Sequence, residues 1–230
     1  MSPESLIYIA TLIAMVLAIW AQIKVSTTFN KYSKTPTATN RTADEVARMI
    51  LDSNGLTDVR IERVRGKLSD HFDPRSNTLR LSDSVYGNRS AAAIGVAAHE
   101  AGHAIQHKVG YAPVVLRSKM VPITSFASRF TWIVITLGFL FMGSSLGYYV
   151  LHFGIALFAI TTLFQLVTLP CEFDASKRAL AEMDRTGFYS SSELAVSKKV
   201  LSAAAMTYVA SMLVSALQLL RLVLSVSRRR

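Results

Sequence analysis

Two histidines four residues apart, with a glutamate beside the first, carry the clearest chemistry in this chain of 230 residues: His99-Glu100-Ala101-Gly102-His103. On an α-helix, positions i and i+4 differ by about 40° in angle and about 6 Å in rise. His99 and His103 can therefore aim two imidazoles at one metal ion. Glu100 lies next to that face, where a carboxylate can take a proton from an attacking water. This is the H-E-x-x-H arrangement of zinc hydrolases. The preceding run, Ser90 followed by an Ala-rich stretch over 91–98, suits a buried helix with Ser90 as N-cap. The competing reading is a helix that carries two histidines by accident.

Such a site needs a third protein ligand and leaves a fourth position for water. Four residues are candidates. His107 lies at i+8 from His99, about 80° away and about 12 Å along a straight helix, too far to share one ion. His71 precedes the turn at Asp73-Pro74. His152 lies inside an apolar segment. Glu172 follows another apolar segment, in Leu169-Pro170-Cys171-Glu172-Phe173-Asp174-Ala175-Ser176. Pro170 suits the first turn of a helix, and Glu172 and Asp174 would then sit where a helix N-terminus favours negative charge. Helix-start acids with no metal role are the alternative. Chain topology favours Glu172, because two consecutive spans out and back would return it to the face that carries His99 and His103.

Those spans dominate the composition. The chain is 51% hydrophobic, with mean hydropathy +0.34. Four apolar stretches reach spanning length: 6–23, 126–142, 146–169 and 203–224. The first carries Glu4 and no Lys or Arg before it, and shows no clear small-x-small cleavage site, so it reads as an uncleaved anchor. The expected organisation is an N-terminal transmembrane anchor (1–23) and a catalytic region with the H-E-x-x-H helix (24–120). A transmembrane hairpin (121–169), a third-ligand helix with its connection (170–202), and a C-terminal transmembrane helix with a basic tail (203–230) follow.

The formal charge of +10 does not point to nucleic acid. The basic residues are scattered or flank apolar spans, and no basic platform interleaved with aromatics is present. Arg228-Arg229-Arg230 reads as an anchor on lipid headgroups. A single cysteine, Cys171, rules out an intrachain disulfide and any Cys-rich zinc site, and reads as a small apolar filler.

Between the first two spans, Thr42-Ala43-Asp44-Glu45 opens a short amphipathic helix with a capping box, and Asn54-Gly55 ends it. The stretches 59–64 and 78–82 alternate polar and apolar residues and read as a strand pair, with Asp73-Pro74-Arg75-Ser76-Asn77 as the turn before the second. The second strand could present an exposed edge to which substrate adds. Ala203, Thr207, Ser211 and Ser215 form a small-residue stripe suited to close packing on a neighbouring span.

The chain resembles the YugP-type membrane zinc metallopeptidases over nearly its whole length. The residues that carry the likeness are Asp70-His71-Phe72-Asp73-Pro74-Arg75, then the stretch from Val96 through His107 around H-E-x-x-H, then Glu172-Phe173-Asp174-Ala175-Ser176. The last block is also similar to the Glu-Phe-x-Ala-Asp motif of HtpX-like and CAAX-prenyl proteases. In those proteins the Glu is the third zinc ligand, which the resemblance transfers to Glu172. Their motif ends in Asp, where this chain has Ser176 and carries its acid at Asp174 instead.

The sequence therefore leads to a mainly α, membrane-anchored, zincin-like fold with about four transmembrane helices and a short strand pair beside the H-E-x-x-H helix. The expected function is that of a gluzincin-like zinc endopeptidase with one Zn²⁺ on His99, His103 and Glu172, and with Glu100 as general base. Its partners would be the lipid bilayer and membrane-associated or misfolded protein substrates. The resemblance implies an integral protein of a prokaryotic plasma membrane. Lys24, Lys31 and Lys34, then Arg117, Lys119 and Arg129, then Lys177 and Arg178 all favour a cytoplasmic catalytic face, against the C-terminal arginines. The leading rival is an inactive metal-binding homologue acting as a scaffold. A transporter would want ionic pairs within its spans, and none is apparent.

Overall fold

The computed structural model describes residues 3–227, so the Arg228-Arg229-Arg230 anchor lies outside the described residues. The elements run α1 (Pro3–Tyr32), α2 (Ala43–Ser53), β1 (Arg60–Val64), β2 (His71–Asp73), β3 (Thr78–Ser82), α3 (Ala91–Lys108), α4 (Ala112–Leu140), α5 (Ser145–Arg185) and α6 (Ser191–Ser227). The protein is mainly helical with one small sheet. Among the described residues, four helices are long and apolar enough to cross a membrane: Ser5–Tyr32, Ala112–Leu140, Ser145–Arg185 and Ser191–Ser227. The chain divides into two compact units, one drawn from residues 1–20, 115–169 and 208–230, the other from 21–114 and 170–207.

The first unit is built from apolar helix. Residues 141–144 form the turn between α4 and α5. The two helices approach closely there because glycine stands at the contacts. A Cβ on Gly138 would meet Leu151 backbone at 2.6 Å, and one on Gly154 would meet Ile135 Cγ1 at 2.7 Å. Ile135, Leu151 and Phe158 pack with Leu222 and Val226 of α6. Ser215, in the small-residue stripe, shares a 3.0 Å hydrogen bond with Thr162 of α5. Large apolar side chains such as Val16, Ile19, Leu140, Leu146 and Tyr149 point outward, as expected of surface solvated by lipid tails.

The second unit holds the sheet and α3. Thr42 caps α2 through the reciprocal pair Glu45 N–H to Thr42 Oγ1 (3.4 Å) and Thr42 N–H to Glu45 Oε2 (2.8 Å). Ser90 Oγ caps α3 by accepting from Ala93 N–H at 3.2 Å. Ile50, Leu51, Leu79, Leu81, Ile94 and Met183 are fully buried between these elements. Small residues let α3 sit deep. A Cβ on Gly95 would stand 2.9 Å from Ser197 Cβ of α6, and one on Gly102 would stand 2.7 Å from the Ala175 carbonyl oxygen of α5.

Three local features differ from the sequence reading. The sheet has three strands in the order β1-β3-β2 rather than a strand pair. β1 and β3 run parallel, and β2 pairs antiparallel with β3, with Phe72 opposite Leu79. Three residues are too few to show alternation, so β2 is silent in the sequence. The second expected strand, β3, is therefore central and mostly buried, and it has no free edge. Its antiparallel turn is held by Asp73, which accepts from Arg75 N–H, Ser76 Oγ–H and Arg80 Nη1. The hydroxyl of Ser76, then the Arg75 amide and Arg80, hold the Asp73 carboxyl well below its usual range. Finally, Pro170 does not start a helix: it lies inside α5, which continues for 41 residues. At about 1.5 Å per residue that is about 60 Å, twice the hydrocarbon thickness of a bilayer. One helix thus has the length to span and still project well beyond the span.

Candidate metal centre

α3 carries His99, Glu100 and His103, and the helical repeat puts both imidazoles on one face. Their ring centroids are 4.8 Å apart and the planes nearly perpendicular, at 83°. Glu172 enters from α5, with Oε2 3.3 Å from His99 Nε2 and 3.6 Å from His103 Nε2. One ligand atom from each of the three residues lies within 4.8 Å of the others. The Glu172 side chain is only 5% exposed. A carboxylate so removed from water requires a positive partner. Burial pushes the His103 imidazole toward its neutral form, yet Glu172 and Glu100 outweigh that and raise its pKa above the ordinary value. The cluster therefore draws positive charge inward.

The imidazole nitrogens that face away from Glu172 are also engaged. His99 Nδ1 is 3.1 Å from Ser176 Oγ. His103 Nδ1 is 2.9 Å from Gln106 Oε1. Gln106 in turn donates from Nε2 to the Cys171 carbonyl and to Asp174 Oδ2, both at 2.8 Å. Arg178 Nε donates to that same Asp174 oxygen at 2.6 Å, and Arg178 Cζ sits 5.8 Å from the Tyr111 ring centre. Glu100 accepts at Oε2 from Phe72 N–H of β2 at 3.1 Å, which fixes its carboxylate between α3 and the outer strand of the sheet.

Comparison with known proteins shows the family. The family described as "Putative neutral zinc metallopeptidase" matches residues 7–227. The chain is 48% identical over 214 residues to a Bacillus subtilis (strain 168) protein named "Putative membrane protease YugP", covering 93% of each chain. The chain belongs to this zinc metallopeptidase family. No solved structure matches it.

For a member of the zinc metallopeptidase family, the donor set is apt. Two imidazole nitrogens and one carboxylate oxygen are a common zinc complement that leaves one position open. Their outer hydrogen bonds resemble those that orient ligating histidines elsewhere. Among the described residues, His99, His103 and Glu172 are the one group of His, Cys, Asp or Glu side chains close enough to hold an ion. The other candidates are engaged elsewhere. The His107 ring lies against Phe72 with centroids 5.6 Å apart. His71 Nδ1 is 2.9 Å from the Ser69 carbonyl, and His152 Nδ1 is 2.8 Å from that of Tyr148. Cys171 is buried and forms no disulfide.

Sequence reasoning missed Gln106, Ser176 and the Phe72 amide. Two of these have a signal in retrospect. Gln106 follows His103 by three residues, a facing pair on a helix, and Ser176 follows Glu172 by four. The Phe72 amide has none, since a backbone donor leaves no trace in side-chain types.

Proposed function

We propose that this chain is a membrane-anchored zinc endopeptidase in which His99, His103 and Glu172 hold the ion and Glu100 is the general base. The observation that carries this reading is the convergence of Glu172 on the two histidines of H-E-x-x-H, with Oε2 within 3.3 Å of His99 Nε2. Bound there, zinc would supply Lewis acidity, activating a water and polarising the scissile carbonyl. Glu100 takes the proton of the attacking water and returns it to the leaving amine. The Phe72 N–H holds the Glu100 carboxylate in reach of that water. An extended peptide segment adds beside β2, the outer strand next to Glu100, in place of the β3 edge that the sequence suggested. The substrates are membrane-associated or misfolded proteins, and the active site faces the cytoplasm.

The rival, an inactive scaffold, predicts a metal-binding protein that cleaves nothing. Purified full-length protein in micelles, offered an unfolded protein substrate, decides between them. Cleavage that stops with a chelator and returns with added zinc supports the enzyme. No cleavage by fully zinc-loaded protein over a broad substrate panel supports the scaffold.

A further inference from the structure

Gln106 is fully buried, and its surroundings leave its amide only one orientation. The Nε2 end stands 2.8 Å from two oxygens, the Cys171 carbonyl and Asp174 Oδ2. The carbonyl can only accept, and the Asp174 oxygen already accepts from Arg178 Nε at 2.6 Å. A carboxamide oxygen placed there would face two acceptors with nothing to share. The nitrogen must therefore occupy that end, using both of its N–H groups. The amide oxygen is left facing His103 Nδ1 at 2.9 Å. An amide oxygen accepts only, so Nδ1 must carry the proton. In a neutral imidazole the other nitrogen, Nε2, is then bare. That is the nitrogen turned toward Glu172.

We propose that Gln106 is a positioning residue that, anchored by Asp174 and Arg178, locks His103 in the Nδ1–H tautomer and so presents a bare Nε2 to the metal. The proposal rests on the reading of His103 as a ligand. His99 is held differently. Its Nδ1 meets the Ser176 hydroxyl, which can donate or accept and so imposes no tautomer. The two ligating histidines thus have unequal roles: His103 is preset, while His99 adapts. The preset side spares the site a proton rearrangement at that ring when metal enters, and it fixes the ring plane by a chain of buried bonds from α3 to α5.

The direct test is the ¹⁵N spectrum of histidine-labelled, metal-stripped, full-length protein in micelles, read at a pH high enough that the His103 signal no longer moves with pH and its ring is neutral. The His103 signal is identified by its loss in His103→Gln. The proposal expects His103 protonated at Nδ1 in the wild type. It expects a mixture of tautomers in Gln106→Met, which keeps the side-chain length without hydrogen bonds. Zinc affinity in Gln106→Met should fall about 10- to 100-fold, and less in Asp174→Asn, where an acceptor oxygen remains. A wild-type His103 protonated mainly at Nε2 overturns the proposal. So does a folded Gln106→Met with an unchanged tautomer or unchanged zinc affinity. If Gln106→Met does not fold, the wild-type spectrum still decides. Because the tautomer is read without metal, it stands apart from the ligand assignment, which fails on its own if Glu172→Ala binds zinc as tightly as wild type.

Discussion

Glu100 and Glu172 are both carboxylates at one cluster, and their surroundings suit them to different work. Glu172 is the more enclosed and meets both imidazoles. Glu100 touches neither imidazole nitrogen by hydrogen bond and is held by a backbone amide instead. Under the proposed reading, Glu100→Gln keeps zinc and lowers peptide hydrolysis by at least about 10²-fold, as read by turnover of the zinc-loaded variant. Near-normal turnover would remove Glu100 as the base. The histidine pair is legible in sequence because its four-residue spacing lies on a single helix. Glu172 is less so, since it is 69 residues beyond His103 in the numbering, and only the out-and-back path of the chain hints at its return. Ser176 meets His99 only once α3 and α5 pack. Gln106 faces His103 within α3, a spacing the sequence does show, but its anchors on α5 are not legible there.

Gly102, inside the H-E-x-x-H motif, governs how closely two helices meet. Its missing Cβ is what lets the α3 backbone approach α5, with the Ala175 carbonyl oxygen 2.7 Å from where that Cβ would be. Backbone cannot rotate aside as a side chain would. Gly102→Ala should cost about 1–3 kcal/mol through overpacking, offset by up to about 1 kcal/mol of helix propensity. The check is denaturant unfolding alongside zinc affinity, and both should weaken together because the same contact sets the distance from His103 to Glu172. Asp70 ties the sheet in another way, accepting from Ser82 N–H at 2.7 Å and Ser82 Oγ–H at 3.0 Å. Burial raises its pKa above the ordinary 3.8; the Ser82 bonds oppose this and the Glu100 charge adds to it. The folded state then binds the proton more tightly than the unfolded chain, so stability falls as pH rises from 3.8 through the raised value. The stability of metal-stripped wild type minus that of Asp70→Asn should therefore be smaller at about pH 6 than at about pH 4. An unchanged or larger difference contradicts the assignment. Capping residues Thr42 and Ser90 mark their helices from sequence alone, because a cap is a local contact. β2 is too short to show a period. Pro170 signals a helix start but lies within α5, because a helix can continue through proline at the loss of one backbone bond.

For the whole molecule, four apolar helices and the excess of basic residues bear on where the chain works. The formal charge of +10 lies largely beside the spans, and three groups of Lys and Arg favour a cytoplasmic catalytic face over the opposing C-terminal arginines. We expect Arg89→Cys, at an exposed position and with Cys171 replaced, to resist a membrane-impermeant thiol reagent in intact cells and to label after permeabilisation. Robust labelling without permeabilisation reverses the orientation. Membrane residence is legible from the runs of apolar residues, whereas orientation rests on a sum of charges that points both ways.

The central claim is that α3 and α5 together build one zinc site from His99, His103 and Glu172. Metal analysis of purified full-length protein tests it most directly, comparing wild type, Glu172→Ala and His107→Ala after equal exposure to zinc and equal dialysis. About one zinc per chain is expected in wild type and in His107→Ala, and little in Glu172→Ala, since two imidazoles alone make an underfilled site. Zinc retained by Glu172→Ala and lost from His107→Ala would contradict it.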